Sequence, residues 1–347
     1  METGAELRAL RAHWGKVAPA AFSPDGARIV TALAGLTARV WDAATGAELM
    51  LLEGHEGWVY SAAFSTNGQR IVTASMDKTA RIWDAATGTE LLKLEGHEKA
   101  VNSAAFSSDS RRIVTASDDH TACVWDATTG ARLQVLQGDE SSIQSAAFSP
   151  DGQRIVTASF AKAARVWDAS TGAELLKLEG HKRAANSAAF SPNGLLIVTA
   201  SDDESARVWD ASTGDELLRL EGHKDAVRSA TFSPDGSRIV TTSDDKTARV
   251  WDVTTGAELL KLVGHEDGLT SAVFSRDGKR IVTAARDNTT RVWDISSLER
   301  GDAFQVACQR LGTNADLSDV ETRYSLSKLP PICGEHPPLP VDLDKLQ

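Results

Sequence analysis

The stretch RIVTASMDKTARIWDAATGTELLKLEGH, residues 70–97, decides the fold, because close copies of it recur along most of the chain. Its tryptophan, Trp83, is followed by an aspartate and belongs to a series of seven Trp-Asp pairs spaced 42 residues apart. The tryptophans of this series are Trp41, Trp83, Trp125, Trp167, Trp209, Trp251 and Trp293. Seven units with no insertion or deletion between them indicate a repeat architecture.

Each unit of 42 residues has the pattern of four short strands. In the unit of Trp83, SAAFS at 61–65 is followed by the turn sequence TNG, and RIVTAS at 70–75 is apolar and β-branched. TARIWD at 79–84 and ELLKLEGH at 90–97 supply two further strands. No segment of the unit has the length of an amphipathic helix, and four strands in about 42 residues is the pattern of one propeller blade.

Three recurring motifs resemble those of the WD40-repeat family: the Gly-His, the Trp-Asp, and the aspartate six residues before each tryptophan. The resemblance covers residues 1–296 and implies an all-β fold, a single seven-bladed WD40 β-propeller whose blades we number from the unit of Trp41. The repeats also resemble bacterial arrays of nearly identical WD40 units. Residues 297–347 are predicted to form a C-terminal extension of one or two short helices and an extended tail.

The predicted extension contains three features of its own. Residues 299–311 (ERGDAFQVACQRL) have helical spacing of apolar side chains, and Gly312 is the predicted C-cap. Cys308 and Cys333 either form a disulfide or remain two buried thiols. The sequence PPLP at 337–340 is either a polyproline ligand or a flexible end.

The first residues of the chain predict how the ring closes. Residues 3–7 (TGAEL) align with residues 45–49, which belong to the fourth strand of blade 1. The unit that ends at Trp293 lacks such a strand, so we expect the N-terminal strand to complete blade 7 and to cover its open edge. A compatible interpretation is that the chain is a segment of a longer repeat protein.

The resemblance also implies a hydrogen-bonded relay of histidine, threonine, aspartate and tryptophan in five blades. A half-buried indole, imidazole and carboxylate each need a partner, because an unpaired one costs about 1–3 kcal/mol. A hydroxyl–His–Asp set could suggest a hydrolase, but five copies around a ring indicate a structural role. The predicted sets are His55, Thr73, Asp77 and Trp83; His97, Thr115, Asp119 and Trp125; His181, Thr199, Asp203 and Trp209; His223, Thr241, Asp245 and Trp251; and His265, Thr283, Asp287 and Trp293.

Two blades depart from the relay pattern. Blade 1 has Gly35 in place of the aspartate, and blade 4 has Asp139 in place of the histidine and Ala161 in place of the aspartate. We predict that these are the least rigid blades and the place where function has diverged.

Composition excludes several classes of protein. The chain is 41% apolar and 24% charged, as in ordinary soluble domains. It has no run of 18 apolar residues and no apolar N-terminal segment typical of a secretory signal. Its net charge of −11 is unsuited to a nucleic-acid partner. Its three cysteines lack metal-ligand spacing. We therefore expect a cytoplasmic protein with no metal, no cofactor and no membrane or nucleic-acid partner.

In WD40 propellers, the residues that contact partners are the third and fifth after the histidine and the one before the turn aspartate. Four large side chains stand at these positions on blades 2 and 4, namely Trp58, Tyr60, Met76 and Phe160. Around the ring, the same positions carry a predicted polar rim of Asn102, Asp118, Gln144, Asn186, Asp202, Arg228, Asp244 and Arg286. We predict a groove across blades 2 to 4 that takes an apolar side chain of a protein or peptide. The alternative is drift among duplicated repeats.

These observations favour a non-enzymatic protein–protein interaction scaffold that binds its partner on the top face. One alternative is a sensor or regulatory module of a bacterial signalling protein with a kinase, NTPase or protease domain. Another is a hydrolase or lyase built on a propeller, which is disfavoured because the repeats offer no unique acid/base pair. The closed ring predicts a monomer, although the apolar patch could also support self-association.

Overall fold

The computed structural model describes residues 5–11, 17–33, 35–138 and 141–298. The chain forms two units, Met1–Ser297 and Leu298–Gln347. The predicted boundary at 296/297 stays a prediction. The predicted C-terminal helices, the Cys308–Cys333 pairing and the 337–340 motif concern residues outside the described ranges, and they also stay predictions.

The described residues form 28 strands and no helix, arranged as seven four-stranded antiparallel sheets. Blade 1 consists of β2 (Val17–Phe22), β3 (Arg28–Leu33), β4 (Thr37–Asp42) and β5 (Glu48–Glu53). Blade 2 consists of β6 (Val59–Phe64), β7 (Arg70–Ser75), β8 (Ala80–Asp84) and β9 (Glu90–Leu94). Blade 3 consists of β10 (Val101–Phe106), β11 (Arg112–Ser117), β12 (Thr121–Asp126) and β13 (Arg132–Gln137). Blade 4 consists of β14 (Ile143–Phe148), β15 (Arg154–Ser159), β16 (Ala163–Asp168) and β17 (Glu174–Glu179).

Blade 5 consists of β18 (Ala185–Phe190), β19 (Leu196–Ser201), β20 (Ser205–Asp210) and β21 (Glu216–Glu221). Blade 6 consists of β22 (Val227–Phe232), β23 (Arg238–Ser243), β24 (Thr247–Asp252) and β25 (Glu258–Val263). Blade 7 consists of β26 (Leu269–Phe274), β27 (Arg280–Ala285), β28 (Thr289–Asp294) and the N-terminal β1 (Ala5–Arg11). The predicted seven-bladed propeller is confirmed.

The first strand of each blade lines the centre of the ring, and the fourth forms the outer edge. We call the end where the first strand begins the top face and the opposite end the bottom face. Because the strands alternate in direction, the turn between the second and third strands also lies on the top face. The turn between the first and second strands lies on the bottom face.

The N-terminal strand closes the ring, as the repeat phase predicts. β1 pairs antiparallel with β28, in a register that places Glu6 opposite Trp293 and Leu10 opposite Thr290. The Glu6 carboxylate accepts a hydrogen bond from Arg291 at 2.6 Å. The same Arg–Glu pair joins the third and fourth strands in blade 2, between Arg81 and Glu90.

The hydrophobic core lies between blades. Val72, Ile82 and Leu94 of blade 2 pack in one cluster with Ile113 and Trp125 of blade 3. Each second strand is therefore covered on both faces. In blade 2 the last five residues of RIVTAS are all buried, which explains why the recurring sequence does not alternate between apolar and exposed polar residues.

A belt of serine hydroxyls joins neighbouring blades around the channel. Ser61 Oγ of blade 2 accepts the backbone N–H of Ala104 in blade 3 at 3.1 Å. Five equivalent bonds are made to Ser103, Ser145, Ser187, Ser229 and Ser271. Blade 1 has Pro19 at this position, which cannot accept in this way. These bonds satisfy buried backbone donors that face a blade boundary.

On the bottom face, an arginine at the start of the second strand reaches the next blade. Arg154 donates to the carbonyl oxygens of Ala211 at 2.5 Å and Gly194 at 2.9 Å, and its guanidinium lies 5.2 Å from the centre of the Phe190 ring. The arginines that contact the following blade in this way are Arg28, Arg70, Arg112, Arg154, Arg238 and Arg280. Blade 5 has Leu196 at this position, so the contact is replaced there by apolar packing.

Candidate partner-binding face

The relay ties the top-face loops of a blade to its core. In blade 2, the indole N–H of Trp83 donates to Thr73 Oγ1 at 2.8 Å. The ring nitrogens of His55 lie 2.7 Å from Thr73 Oγ1 and 2.7 Å from the carboxylate of Asp77. That carboxylate also accepts the N–H and the hydroxyl of Thr79, which caps the turn between the second and third strands.

The same three bonds, all between 2.7 and 3.0 Å, recur in blades 3, 5, 6 and 7. They join His97, Thr115, Asp119 and Trp125; His181, Thr199, Asp203 and Trp209; His223, Thr241, Asp245 and Trp251; and His265, Thr283, Asp287 and Trp293. The Trp–Thr bond alone is described for blades 1 and 4, between Trp41 and Thr31 and between Trp167 and Thr157.

The relay groups are buried, and burial and hydrogen bonding together set their charge. Burial lowers the pKa of His55, although Asp77 opposes this effect. Burial alone would raise the pKa of Asp77, but hydrogen bonds from Thr79 and His55 lower it to about 2. Thr73 is fully buried, and its oxygen already serves both the indole and the imidazole. A substrate cannot reach this hydroxyl, so the arrangement is suited to support and not to nucleophilic catalysis.

Blade 3 differs from the others in two coupled positions. Blades 1, 2, 4, 5, 6 and 7 each hold an Arg–Glu pair between the third and fourth strands. In blade 3, Cys123 replaces the arginine and Arg132 replaces the glutamate. The guanidinium of Arg132 donates to the Gly96 carbonyl at 3.4 Å. In blade 3 the arginine therefore lies on the fourth strand, whereas in the other blades it lies on the third.

This exchange predicts a distinct charge state for one relay histidine. Burial lowers the pKa of His97, but Asp119 and Cys123 outweigh it and raise the pKa to about 9. In blade 2, by contrast, the charge of Arg81 helps to lower the pKa of His55. Its raised pKa means that His97 stabilises the fold fully below its usual 6.5, and that this contribution is lost as the pH rises through about 9.

We expect an NMR titration of the imidazole nitrogens to show a protonated His97 at about pH 7.5, while His55 stays neutral. The double substitution Cys123→Arg/Arg132→Glu restores the pattern of the other blades and should lower the pKa of His97. If His97 in the unaltered chain were neutral like His55, the proposed effect of the exchange would be wrong.

A β-bulge positions one of the predicted partner-contacting residues in each of blades 2 to 7. In blades 2 to 7, the pairing between the first and second strands shifts register at the fifth residue after the relay histidine position. The bulged residues are Tyr60, Asn102, Gln144, Asn186, Arg228 and Thr270. A bulge leaves its residue out of the ladder and redirects the side chain.

The apolar side chains on blades 2 and 4 are the most exposed of the predicted set. Trp58 and Met76 are each 53% exposed, and Phe160 is 47% exposed. Trp58 and Met76 are neighbours, because the Met76 N–H donates to the Trp58 carbonyl at 2.8 Å. Tyr60 is half-buried, and burial together with the charge of Asp118 raises the pKa of its phenol.

The polar residues of blades 3 and 4 bond to one another. Asn102 donates to Asp118 Oδ1 at 2.7 Å and to the Ile143 carbonyl of the next blade at 3.0 Å. The hydroxyl of Ser142 donates to the same Asp118 oxygen and accepts from Gln144 at 2.7 Å. This arc is satisfied within the protein.

A second arc runs across blades 5, 6 and 7. Asn186 donates to Asp202 at 2.8 Å, and Arg228 donates to Asp202 at 2.8 Å and to Asp244 at 2.9 Å. Arg286 forms an ion pair with Asp244 at 3.0 Å. The polar rim is thus a set of internal contacts, whereas Trp58, Met76 and Phe160 offer exposed apolar surface.

Away from the top face, the described residues form a cavity but no cluster of potential metal ligands. A cavity of about 320 Å³ lies on the bottom face, lined by the phenylalanines that end the first strands of blades 3 to 7 and by Ser-Pro turns. No cluster of three or more potential metal-ligating side chains occurs in the described ranges. Among the same residues, no helical segment has the length and apolar character that a membrane crossing requires.

Comparison with known proteins agrees with this geometry. Residues 16–159 match the family model described as the IFT122 first beta-propeller. Residues 172–210, 214–252 and 256–294 match the model described as WD domain, G-beta repeat, one match for each of the last three Trp-Asp units. A search of curated proteins found no match to the chain.

Proposed function

The chain belongs to the WD40-repeat family, and on that premise we propose that it is a non-enzymatic scaffold that binds a protein or peptide on its top face. WD40 propellers typically bind protein partners and are generally scaffolds without enzymatic activity. We place this protein in the cytoplasm and expect neither nucleic acid nor membrane among its partners, in keeping with its net charge of −11.

One observation carries the proposal: large apolar side chains are exposed beside polar ones that are already paired. Trp58, Met76 and Phe160 lie on top-face turns that the strands of blades 2 and 4 hold in place. Exposed aromatic side chains on a rigid support are typical of interface hot spots, because they bury much area at little entropic cost. The neighbouring Asn102–Asp118–Ser142 arc would surround such a contact with fixed polar groups.

Site-specific photocrosslinking tests which face binds. A photoreactive amino acid at position 76 lies on the top face, and one at position 195 lies at a similarly exposed leucine on the bottom face. We expect a protein partner to crosslink from position 76 and not from position 195. Crosslinks from position 195 alone would move the site to the bottom face and contradict the proposal.

A further inference from the structure

Blades 3 and 5 build the same hydrogen-bonded turn on the top face. In blade 3, the side-chain amide of Asn102 donates to Asp118 at 2.7 Å and to a backbone carbonyl of blade 4 at 3.0 Å. In blade 5, Asn186 donates to Asp202 at 2.8 Å and to a backbone carbonyl of blade 6 at 2.9 Å. The two aspartates thus have equivalent positions and equivalent neighbours, so blade 5 is an internal reference for blade 3.

The two aspartates differ in whether their charge is neutralised. An oxygen of Asp202 lies 2.8 Å from the guanidinium of Arg228, the bulge residue of blade 6. Blade 4 has Gln144 at the position of Arg228, and its amide donates to the hydroxyl of Ser142. Within the described part of the chain, Asp118 therefore forms no ion pair.

A third carboxylate of this kind is also neutralised. Asp244 of blade 6 pairs with Arg228 and with Arg286 of blade 7. Of the three aspartates that precede the turn aspartate, only Asp118 lacks a cationic partner among the described residues. Its Oδ1 accepts hydrogen bonds from two neutral side chains, which leave the charge of the carboxylate in place. No described residue donates to its Oδ2.

Basic groups beside the turn do not remove this difference. The carbonyl of Lys99 accepts a hydrogen bond from the blade-3 turn, and Arg183 takes the same place in blade 5, so a basic side chain follows both relay histidines. His97, with its pKa of about 9, lies 2.8 Å from Asp119. Its charge therefore neutralises that aspartate and leaves Asp118 unpaired.

The loop that follows the relay histidine changes sign between the two sides of the top face. The first residue of this loop is Glu56 in blade 2 and Glu98 in blade 3, but it is Lys182 in blade 5 and Lys224 in blade 6. All four side chains are exposed. The loops nearest Asp118 thus add negative charge, which attracts a basic partner.

Apolar side chains lie on both sides of Asp118. Towards blade 2, its charge acts after burial to raise the pKa of the Tyr60 phenol, and the same blade exposes Trp58. Towards blade 4, the hydroxyl of Ser142 donates to Asp118, and the Ser142 carbonyl accepts the N–H of Phe160 at 3.1 Å. An unpaired carboxylate therefore lies between the two exposed aromatic residues.

We propose that the partner is a protein segment with an arginine or lysine that pairs with Asp118, flanked by apolar residues that contact Trp58 and Phe160. This inference rests on the top-face binding proposed above. Apolar contacts on both sides would exclude water from the ion pair and strengthen it. Gln144 is part of the specificity, because an arginine there would neutralise Asp118 from within the protein, as Arg228 neutralises Asp202.

Selection from a peptide library by the full chain tests the proposed charge. The probe is a set of short synthetic peptides with arginine, lysine, glutamine or glutamate at the centre and leucine, phenylalanine, serine or glycine at the flanking positions. We expect basic centres with apolar flanks to be enriched about fivefold over matched glutamine peptides, the ratio that corresponds to a favourable exposed ion pair. Mass spectrometry of the retained peptides measures the enrichment.

Variants of the chain locate the preference. Asp118→Asn keeps an acceptor oxygen and removes the charge, so the basic and glutamine peptides should then bind equally. Gln144→Arg should also abolish the preference. Glu204→Gln, which removes one exposed negative charge from the equivalent turn of blade 5, is the matched control and should keep it. Thermal unfolding monitored by circular dichroism checks that each variant folds.

The proposal is overturned if the unaltered chain enriches no peptide or shows no preference for a basic centre. It is also overturned if Asp118→Asn or Gln144→Arg retains the preference, or if Glu204→Gln loses it. Trp58→Ala/Phe160→Ala separates this failure from that of the top-face site. Peptides retained equally by that double variant contradict the site itself, whereas peptides that it loses, with a charge preference unaffected by Asp118→Asn, contradict only the role of Asp118.

Discussion

Replacing Thr199 by valine should lower the free energy of unfolding by about 3 kcal/mol, although only the hydroxyl is exchanged for a methyl group. The hydroxyl accepts the Trp209 indole N–H at 2.9 Å and lies 2.7 Å from a ring nitrogen of His181. All three groups are buried, and valine leaves the indole and the imidazole without this partner. Each unpaired buried polar group costs about 1–3 kcal/mol.

Blade 4 supplies the matched control for this prediction. Thr157 occupies the equivalent position and accepts the indole N–H of Trp167 at 2.9 Å, but Ala161 stands where the relay aspartate would be. Thr157→Val should therefore cost about half as much, on the order of 1–2 kcal/mol. Equilibrium unfolding in denaturant measures both values, provided that the slope of the transition is unchanged. Equal losses in the two variants would show that the relay beyond the Trp–Thr bond contributes nothing.

The second large effect concerns binding. Trp58→Ala and Phe160→Ala should each weaken the affinity for the top-face partner about 30-fold, since truncating a central aromatic anchor costs about 2 kcal/mol or more. Both side chains lie at exposed turn positions, so their removal should leave stability within about 0.5 kcal/mol. Calorimetric titration with the purified partner measures the loss. An affinity unchanged in both variants would contradict the assignment of these residues.

The blades and their closure could be predicted from the sequence because their signals are local and repeated. Trp83 and its six equivalents set the period, and residues 3–7 repeat the outer-strand sequence that blade 7 otherwise lacks. The N-terminal strand β1 does pair with β28. One short motif, read seven times, thus predicted both the number of sheets and the strand order in the last one.

Contacts between blades were not predicted, because their partners are far apart in sequence. The Arg154 guanidinium donates to the carbonyl of Ala211, which is 57 residues away in the sequence. Every residue has a backbone carbonyl, so the sequence does not show which one accepts this bond. The exchange of Cys123 and Arg132 did have a signal. A comparison of equivalent positions in all blades would have shown that both members of the Arg–Glu pair change together in blade 3.

The sequence predicted which positions lie on the top face, but it did not predict which of these side chains bond to one another. Asn102 and Asp118 were both predicted to be available to a partner, because nothing in the sequence shows that they bond to each other. The structure uses most of the polar rim for internal contacts and leaves Trp58, Met76 and Phe160 exposed. The predicted groove between blades 2 and 4 stays a prediction.

The most direct test of the central claim is crosslinked capture of partners from native lysate by three forms of the full chain. These are the unaltered chain, the double variant Trp58→Ala/Phe160→Ala, and the control Leu91→Ala/Leu175→Ala, which removes similarly exposed side chains from the outer strands of the same two blades. We predict that a partner is captured by the unaltered chain and by the control, and that it is lost with the double variant. A partner captured equally by all three forms would contradict a binding site at Trp58 and Phe160.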